Sequence, residues 1–121
     1  HNIAPIFLLA PTTNEARIAQ VAKLARGYVY YVSLKGVTGS GNIDLSAITE
    51  KMPQLRKHIQ LPIGVGFGIR DAQTARAVAA LCDGVVVGSR IVQEIESSKQ
   101  DQVLANVGKL VKELRVAIDQ A

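Results

Sequence analysis

Two stretches of this chain end alike. Leu61-Pro62-Ile63-Gly64-Val65-Gly66-Phe67-Gly68-Ile69 and Asp83-Gly84-Val85-Val86-Val87-Gly88-Ser89-Arg90-Ile91-Val92 each read as a short apolar strand that runs straight into glycine, with one helix-sized segment between them. Strand, helix and strand at this spacing predict a parallel pair joined by a right-handed crossover. Strands that are apolar throughout are expected where both faces of the sheet are covered. Glycine at a strand end lets other backbone or a ligand approach closely. Two such ends side by side can aim several backbone N–H groups at one anion. The phosphate site after the last two strands of a (β/α)8 barrel has this form, so the pair predicts a phosphorylated small molecule as ligand.

The rest of the chain repeats the same unit, giving four strand–helix units in all. Residues 3–9 read as the first strand. Thr12-x-x-Glu15 has capping-box spacing, and the helix after it carries Ile18, Val21, Ala22 and Ala25 on one face and ends at Gly27. Residues 28–33 form a β-branched and aromatic second strand, followed by a loop over 35–42 with three glycines. Asp44 caps a helix holding Leu45, Ile48 and Met52, and Pro53 is expected to break or restart it. The third strand is 63–65. Asp71 caps a third helix with Ala72, Ala75, Val78 and Ala79 inward. The fourth strand is 84–87, and a short helical turn begins at Ser89. A final helix presents Val103, Val107, Leu110, Val111, Leu114 and Ile118 as a core stripe, weakened at Gly108 by about 1 kcal/mol relative to Ala. No linker divides the chain, so residues 1–121 are expected to form a single segment. That is one half of the roughly 250 residues of a closed barrel.

Composition removes several classes of function. Aromatic residues are 4% of the chain and Trp is absent, which leaves no base-stacking surface. The net charge of +4 comes from Lys and Arg scattered over helical surface positions, so a solvated surface is expected and no nucleic-acid partner. Cys82 is the only cysteine; no intrachain disulfide is possible, a cytoplasmic setting fits, and the residue reads as a small core side chain. No apolar run approaches a membrane span. The N-terminus lacks the pattern of a signal peptide and looks like an interior start.

Ligands of parallel βα folds bind at the C-terminal ends of the strands. Four segments are expected to meet there: 8–11, 33–42, 66–69 and 88–89. Backbone N–H groups at Gly68, Gly88 and Ser89, helped by the positive end of a helix starting at Ser89, could hold a phosphate. No Gly-Lys-Ser/Thr follows these glycines and no Gly-x-Gly-x-x-Gly opens a helix, so neither nucleotide fingerprint is present. His1 and His58 lack metal-ligand spacing to each other or to Cys82, and His58 reads as a surface residue. Glu15, Asp44, Glu50 and Asp71 fall at helix starts or on helix surfaces, leaving no evident general acid or base at a strand end. Tyr30 points opposite to Tyr31 by strand alternation. It reads either as a pocket residue or as a barrel-core tyrosine.

Taken in order, Pro5-Ile6-Phe7-Leu8-Leu9-Ala10-Pro11-Thr12, Gly27-Tyr28-Val29-Tyr30-Tyr31-Val32-Ser33, Gly36-Val37-Thr38-Gly39, Gly66-Phe67-Gly68-Ile69 and Gly88-Ser89-Arg90-Ile91-Val92 resemble the α subunit of tryptophan synthase over essentially the whole chain. The resemblance implies an α/β fold, the C-terminal half, (β/α)4, of a TIM (β/α)8 barrel, holding its strands five to eight. It implies a lyase that cleaves indole-3-glycerol phosphate to indole and glyceraldehyde 3-phosphate. The family's phosphate site matches Gly39, Gly68, Gly88 and Ser89. Leu8, Tyr30 and Phe67 match positions lining the substrate pocket, and Thr38 matches a threonine that orders a closing lid. Pro11 resembles part of the surface that meets the β subunit in an α2β2 complex, and pyridoxal phosphate belongs to that β partner, so no cofactor is expected here. The family's catalytic Glu and Asp lie in its N-terminal half, so no catalytic residue is assigned and the chain alone is expected to be inactive. Two other readings stay open: a non-catalytic phosphate-binding half-barrel that pairs with a missing N-terminal half or with itself, and another phosphate-binding barrel enzyme of tryptophan or histidine biosynthesis.

Overall fold

Four parallel strands lie in the order β1-β2-β3-β4 in a computed structural model that describes residues 1–33 and 43–121. The elements are β1 (Leu8–Leu9), α1 (Glu15–Leu24), β2 (Val29–Val32), α2 (Leu45–His58), β3 (Ile63–Gly66), α3 (Ala72–Ala79), β4 (Gly84–Val86), α4 (Ser89–Ser97) and α5 (Val103–Asp119). Sequential strands pair side by side, as expected when each crossover is a single helix. The expected lid and anion residues Thr38 and Gly39 lie outside the described residues.

The register divides the sheet into two unlike faces. Leu9, Val29, Tyr31, Ile63 and Val65 are each at most 1% exposed. They form one core with Ile18 and Val21 of α1, Ile48, Met52 and Leu55 of α2, Ala75 and Val78 of α3, and Leu110 and Leu114 of α5. The other face carries the rows Leu8–Tyr30–Gly64–Gly84 and Val32–Gly66–Val86. Here small residues alternate with large ones. A Cβ on Gly66 would run into the Tyr30 ring, and one on Gly64 would stand 3.6 Å from the Tyr28 ring. The tyrosines of β2 and its approach therefore lie across the glycines of β3.

The end of the sheet opposite the candidate ligand site is tied by Asp83. Its carboxylate accepts the Ile63 N–H at 2.7 Å and pairs with Arg56 near the end of α2. Burial pushes its pKa up, but the Ile63 N–H and the Arg56 guanidinium outweigh this and hold it below the usual carboxylate range.

Several expectations need correction. The first strand is Leu8–Leu9, not 3–9: β1 is an edge that pairs only with Tyr30 and Tyr31, and Ile3 is 83% exposed. The capping box at Thr12 is not used. Asn14 caps α1 by accepting the Arg17 N–H at 2.9 Å, and Thr13 Oγ1 accepts the Ala10 N–H. Glu15 turns instead to α2, 2.9 Å from Lys57 Nζ and 2.8 Å from His58 Nε2. His58 is thus a paired side chain, 24% exposed, and no free surface residue. The bonds from Lys57 and then His58 hold the Glu15 carboxyl down at about 2. Helix α1 ends at Leu24, and Gly27 (φ +78) turns the chain into β2 instead of ending the helix. Helix α2 runs through Pro53 without a break. Ile48, Met52 and Leu55 anchor it on both sides of the proline, which itself faces solvent where water can satisfy the freed carbonyl. Helix α4 has nine residues and is more than a single turn. Val111 is 46% exposed and leaves the predicted stripe, since α5 buries only Leu110 and Leu114.

The other helix starts follow the sequence. Asp44 accepts the Ala47 N–H and Asp71 the Thr74 N–H at 2.7 Å. Cys82 is half-buried with Sγ 3.2 Å from the Val78 carbonyl oxygen. Burial raises its thiol pKa, which suits an inert packing role.

Candidate functional site

The C-terminal ends of β2, β3 and β4 enclose a cavity of about 380 Å³. Tyr30 enters it from β2 and Val86 from β4. The segment after β3 supplies Phe67, Gly68, Ile69 and Arg70, and the start of α4 supplies Gly88 and Ser89. Five expected site residues, Tyr30, Phe67, Gly68, Gly88 and Ser89, therefore meet at one place. Leu8 does not line this cavity; it stands beside Tyr30 on the same face, 65% exposed.

The turn after β3 is what shapes the wall. Phe67 (φ 76) and Gly68 (φ 79) are both left-handed. Gly68 adopts that conformation at no steric cost, whereas Phe67 is strained by about 1–2 kcal/mol. Ser33, at the end of β2 and 3% exposed, helps hold the strained turn. Its hydroxyl shares one proton between the carbonyl oxygens of Gly66 at 2.7 Å and Phe67 at 3.0 Å, and its N–H donates to Gly66. The Phe67 ring meets Tyr30 edge to face, with centroids 6.3 Å apart, and stays 49% exposed. Tyr30 is half-buried, which pushes its hydroxyl pKa up, with Tyr28 nearby adding to the shift.

Helix α4 opens onto the cavity, and among the described residues no side chain caps its N–H groups. Its N-cap is Gly88, and the Ile91 and Val92 N–H groups return to the Gly88 carbonyl. The first turn holds no acidic residue. By contrast α1, α2 and α3 are capped by Asn14, Asp44 and Asp71. A helix start with free N–H groups and a positive dipole end favours an anion. A Cβ at Gly88 would meet nothing within 4 Å, so packing among the described residues does not require glycine there.

Among the described residues no carboxylate or imidazole lines the cavity, and no group of His, Cys, Asp and Glu could hold a metal ion. No described helix is long and apolar enough to cross a membrane. Arg70, Val86 and Ser33 were not singled out by the sequence. Arg70 comes two residues after Gly68 and Ser33 closes an apolar strand, signals too weak to mark either residue.

The sequence profile described as Tryptophan synthase alpha chain matches residues 1–119. The tryptophan synthase alpha chain of Nitrosospira multiformis is 66% identical over 120 residues, covering 99% of this chain and 43% of the relative. That of Nitrosomonas europaea is 65% identical over 118 residues, covering 98% and 43%. The crystal structure of tryptophan synthase subunit alpha from Legionella pneumophila superimposes with a TM-score of 0.82 at 33% identity, over 100% of this chain and 44% of that one. A structure of Mycobacterium tuberculosis tryptophan synthase gives 0.79 at 32% identity, over 98% and 43%. The chain thus spans less than half the length of the curated relatives it matches, and its (β/α)4 sheet is the C-terminal half of their TIM barrel.

Proposed function

Because the chain belongs to the tryptophan synthase alpha chain family, we propose that the polypeptide it represents is a lyase that cleaves indole-3-glycerol phosphate to indole and glyceraldehyde 3-phosphate. These residues form its phosphate-holding half. The observation that carries this reading is the uncapped start of α4 opening on the cavity beside the left-handed Phe67–Gly68 turn.

In this account the substrate phosphate sits against the N–H groups of Gly68, Gly88 and Ser89, joined by Gly39 from the loop. Phe67 and Tyr30 form the apolar wall beside the glycerol and indole portions, with Leu8 further along the same face. The resemblance gives Thr38 a part in closing a lid over the site, which would exclude water. These groups bind and orient; they do not move protons. Retro-aldol cleavage needs a general acid–base, and the resemblance assigns it to a Glu, with an Asp holding the indole N–H, both outside these residues. The indole passes to a β subunit that carries pyridoxal phosphate, in the cytoplasm.

Titration of the full-length polypeptide with indolepropanol phosphate, in competition with inorganic phosphate, tests the reading. Mutually exclusive binding of the two, together with indole release from the full-length chain and none from the 121 residues alone, is the expected result. Independent binding of the two ligands would contradict it, as would turnover by the 121-residue chain.

A further inference from the structure

A cradle made only of backbone N–H groups offers a phosphate dianion partial charges and no counter-ion. Among the described residues lining the cavity, one side chain carries a full charge, and it is Arg70. Arg70 follows the Phe67–Gly68 turn and lies within the same wall. It is exposed and makes no ion pair among the described residues.

The neighbouring charges are committed elsewhere. Arg90, one residue beyond Ser89, is held by Glu94 at 2.7 Å and lines a different cavity. The Asp71 carboxylate next to Arg70 is turned onto the Thr74 N–H, caps α3, and does not line the cavity. Among the described residues Arg70 is therefore the one full charge bordering a cavity whose other walls are neutral.

We propose that Arg70 is a specificity residue: its guanidinium is the charge partner of the ligand's phosphate and makes the site prefer dianionic over monoanionic ligands. This rests on the phosphate reading of the cavity. Arginine suits the task because it stays protonated throughout the working range and presents several N–H donors to phosphate oxygens. It acts on binding and leaves the chemical step alone.

The test compares wild type, Arg70→Gln and Arg70→Lys in the full-length polypeptide, with inorganic phosphate as the probe. Arg70→Gln should weaken phosphate binding about five-fold at low salt, the upper end for an exposed ion pair. The difference should shrink in 1 M salt, where charges are screened within about 3 Å. It should shrink again as the pH is lowered through the second ionisation of inorganic phosphate, where the probe changes from dianion to monoanion. Arg70→Lys should recover most of the affinity. In turnover, Arg70→Gln should raise KM and leave kcat unchanged. Wild-type affinity and salt dependence in Arg70→Gln would overturn the role of Arg70 while leaving the phosphate site standing. Failure of the wild type to bind phosphate would overturn both.

Discussion

Tyr30 and Tyr31 are adjacent in β2 and belong to different parts of the molecule. Tyr31 points to the helices, is fully buried, and has a hydroxyl with no hydrogen-bond partner among the described residues. Tyr30 points to the other face, lies across Gly66, meets Phe67 and borders the cavity. The helix side is filled by branched side chains and supplies stability. The open side is built of glycines, tyrosines and backbone at strand ends, and borders the cavity. A strand alternates its side chains, so one short segment serves both purposes.

The contrast breaks most sharply under truncation. In the 121-residue chain, Ile63→Ala on the helix side should destabilise by about 2–5 kcal/mol, whereas Val86→Ala, 38% exposed in this chain, should lose less than about 1 kcal/mol. Urea unfolding of the two variants reads the difference directly.

Glycine substitutions sharpen the comparison within the site. Gly68→Ala must place a side chain at φ +79 with the Ile43 nitrogen 3.3 Å from the new Cβ, and should cost about 1–2 kcal/mol. Gly88→Ala meets open space and should leave the unfolding midpoint unchanged while weakening phosphate binding, as seen by calorimetry. Ser33→Ala removes the hydroxyl that bonds the Gly66 and Phe67 carbonyls, with an expected loss of about 1 kcal/mol. Tyr31→Phe deletes a buried hydroxyl that has no partner among the described residues and should be neutral or slightly stabilising in the same assay.

Acid reads a third region, the junction of α1 and α2. The Glu15 carboxyl is held at about 2 in the folded chain by Lys57 and His58, below the ordinary glutamate value near 4.3. A lowered folded pKa means the contribution is fully present above the unfolded value and is lost as pH falls toward 2. Glu15→Gln should therefore flatten the stability profile between about pH 5 and 2 and change little of its shape at neutral pH. A chemical-denaturation series across that range checks it.

The parallel order of the strands and most of the helix faces were legible because apolar periodicity and crossover rules act locally. Asp44 and Asp71 cap where the sequence placed them, for the same reason. What was missed depended on distant partners. Pro53 is carried by burial on both sides of it, and Glu15 leaves its capping role for Lys57 and His58, more than forty residues away. The first strand is shorter than its apolar run because only Leu8 and Leu9 find partners in β2. At the site, the glycine-ended strands marked Gly68, Gly88 and Ser89 correctly as neighbours. Neither the left-handed Phe67 nor the Ser33 bond that holds it leaves a pattern in the sequence. Arg70 reads as an ordinary surface charge until the cavity beside it is seen.

The central claim is that the ends of β3 and β4 hold a phosphate through backbone N–H groups. Backbone amide chemical shifts of the full-length polypeptide, followed through a titration with inorganic phosphate, test it most directly. The account predicts saturable shifts that are largest at Gly68, Gly88 and Ser89. Saturable binding whose largest shifts lie elsewhere, or no saturable shifts at these three amides, would contradict it.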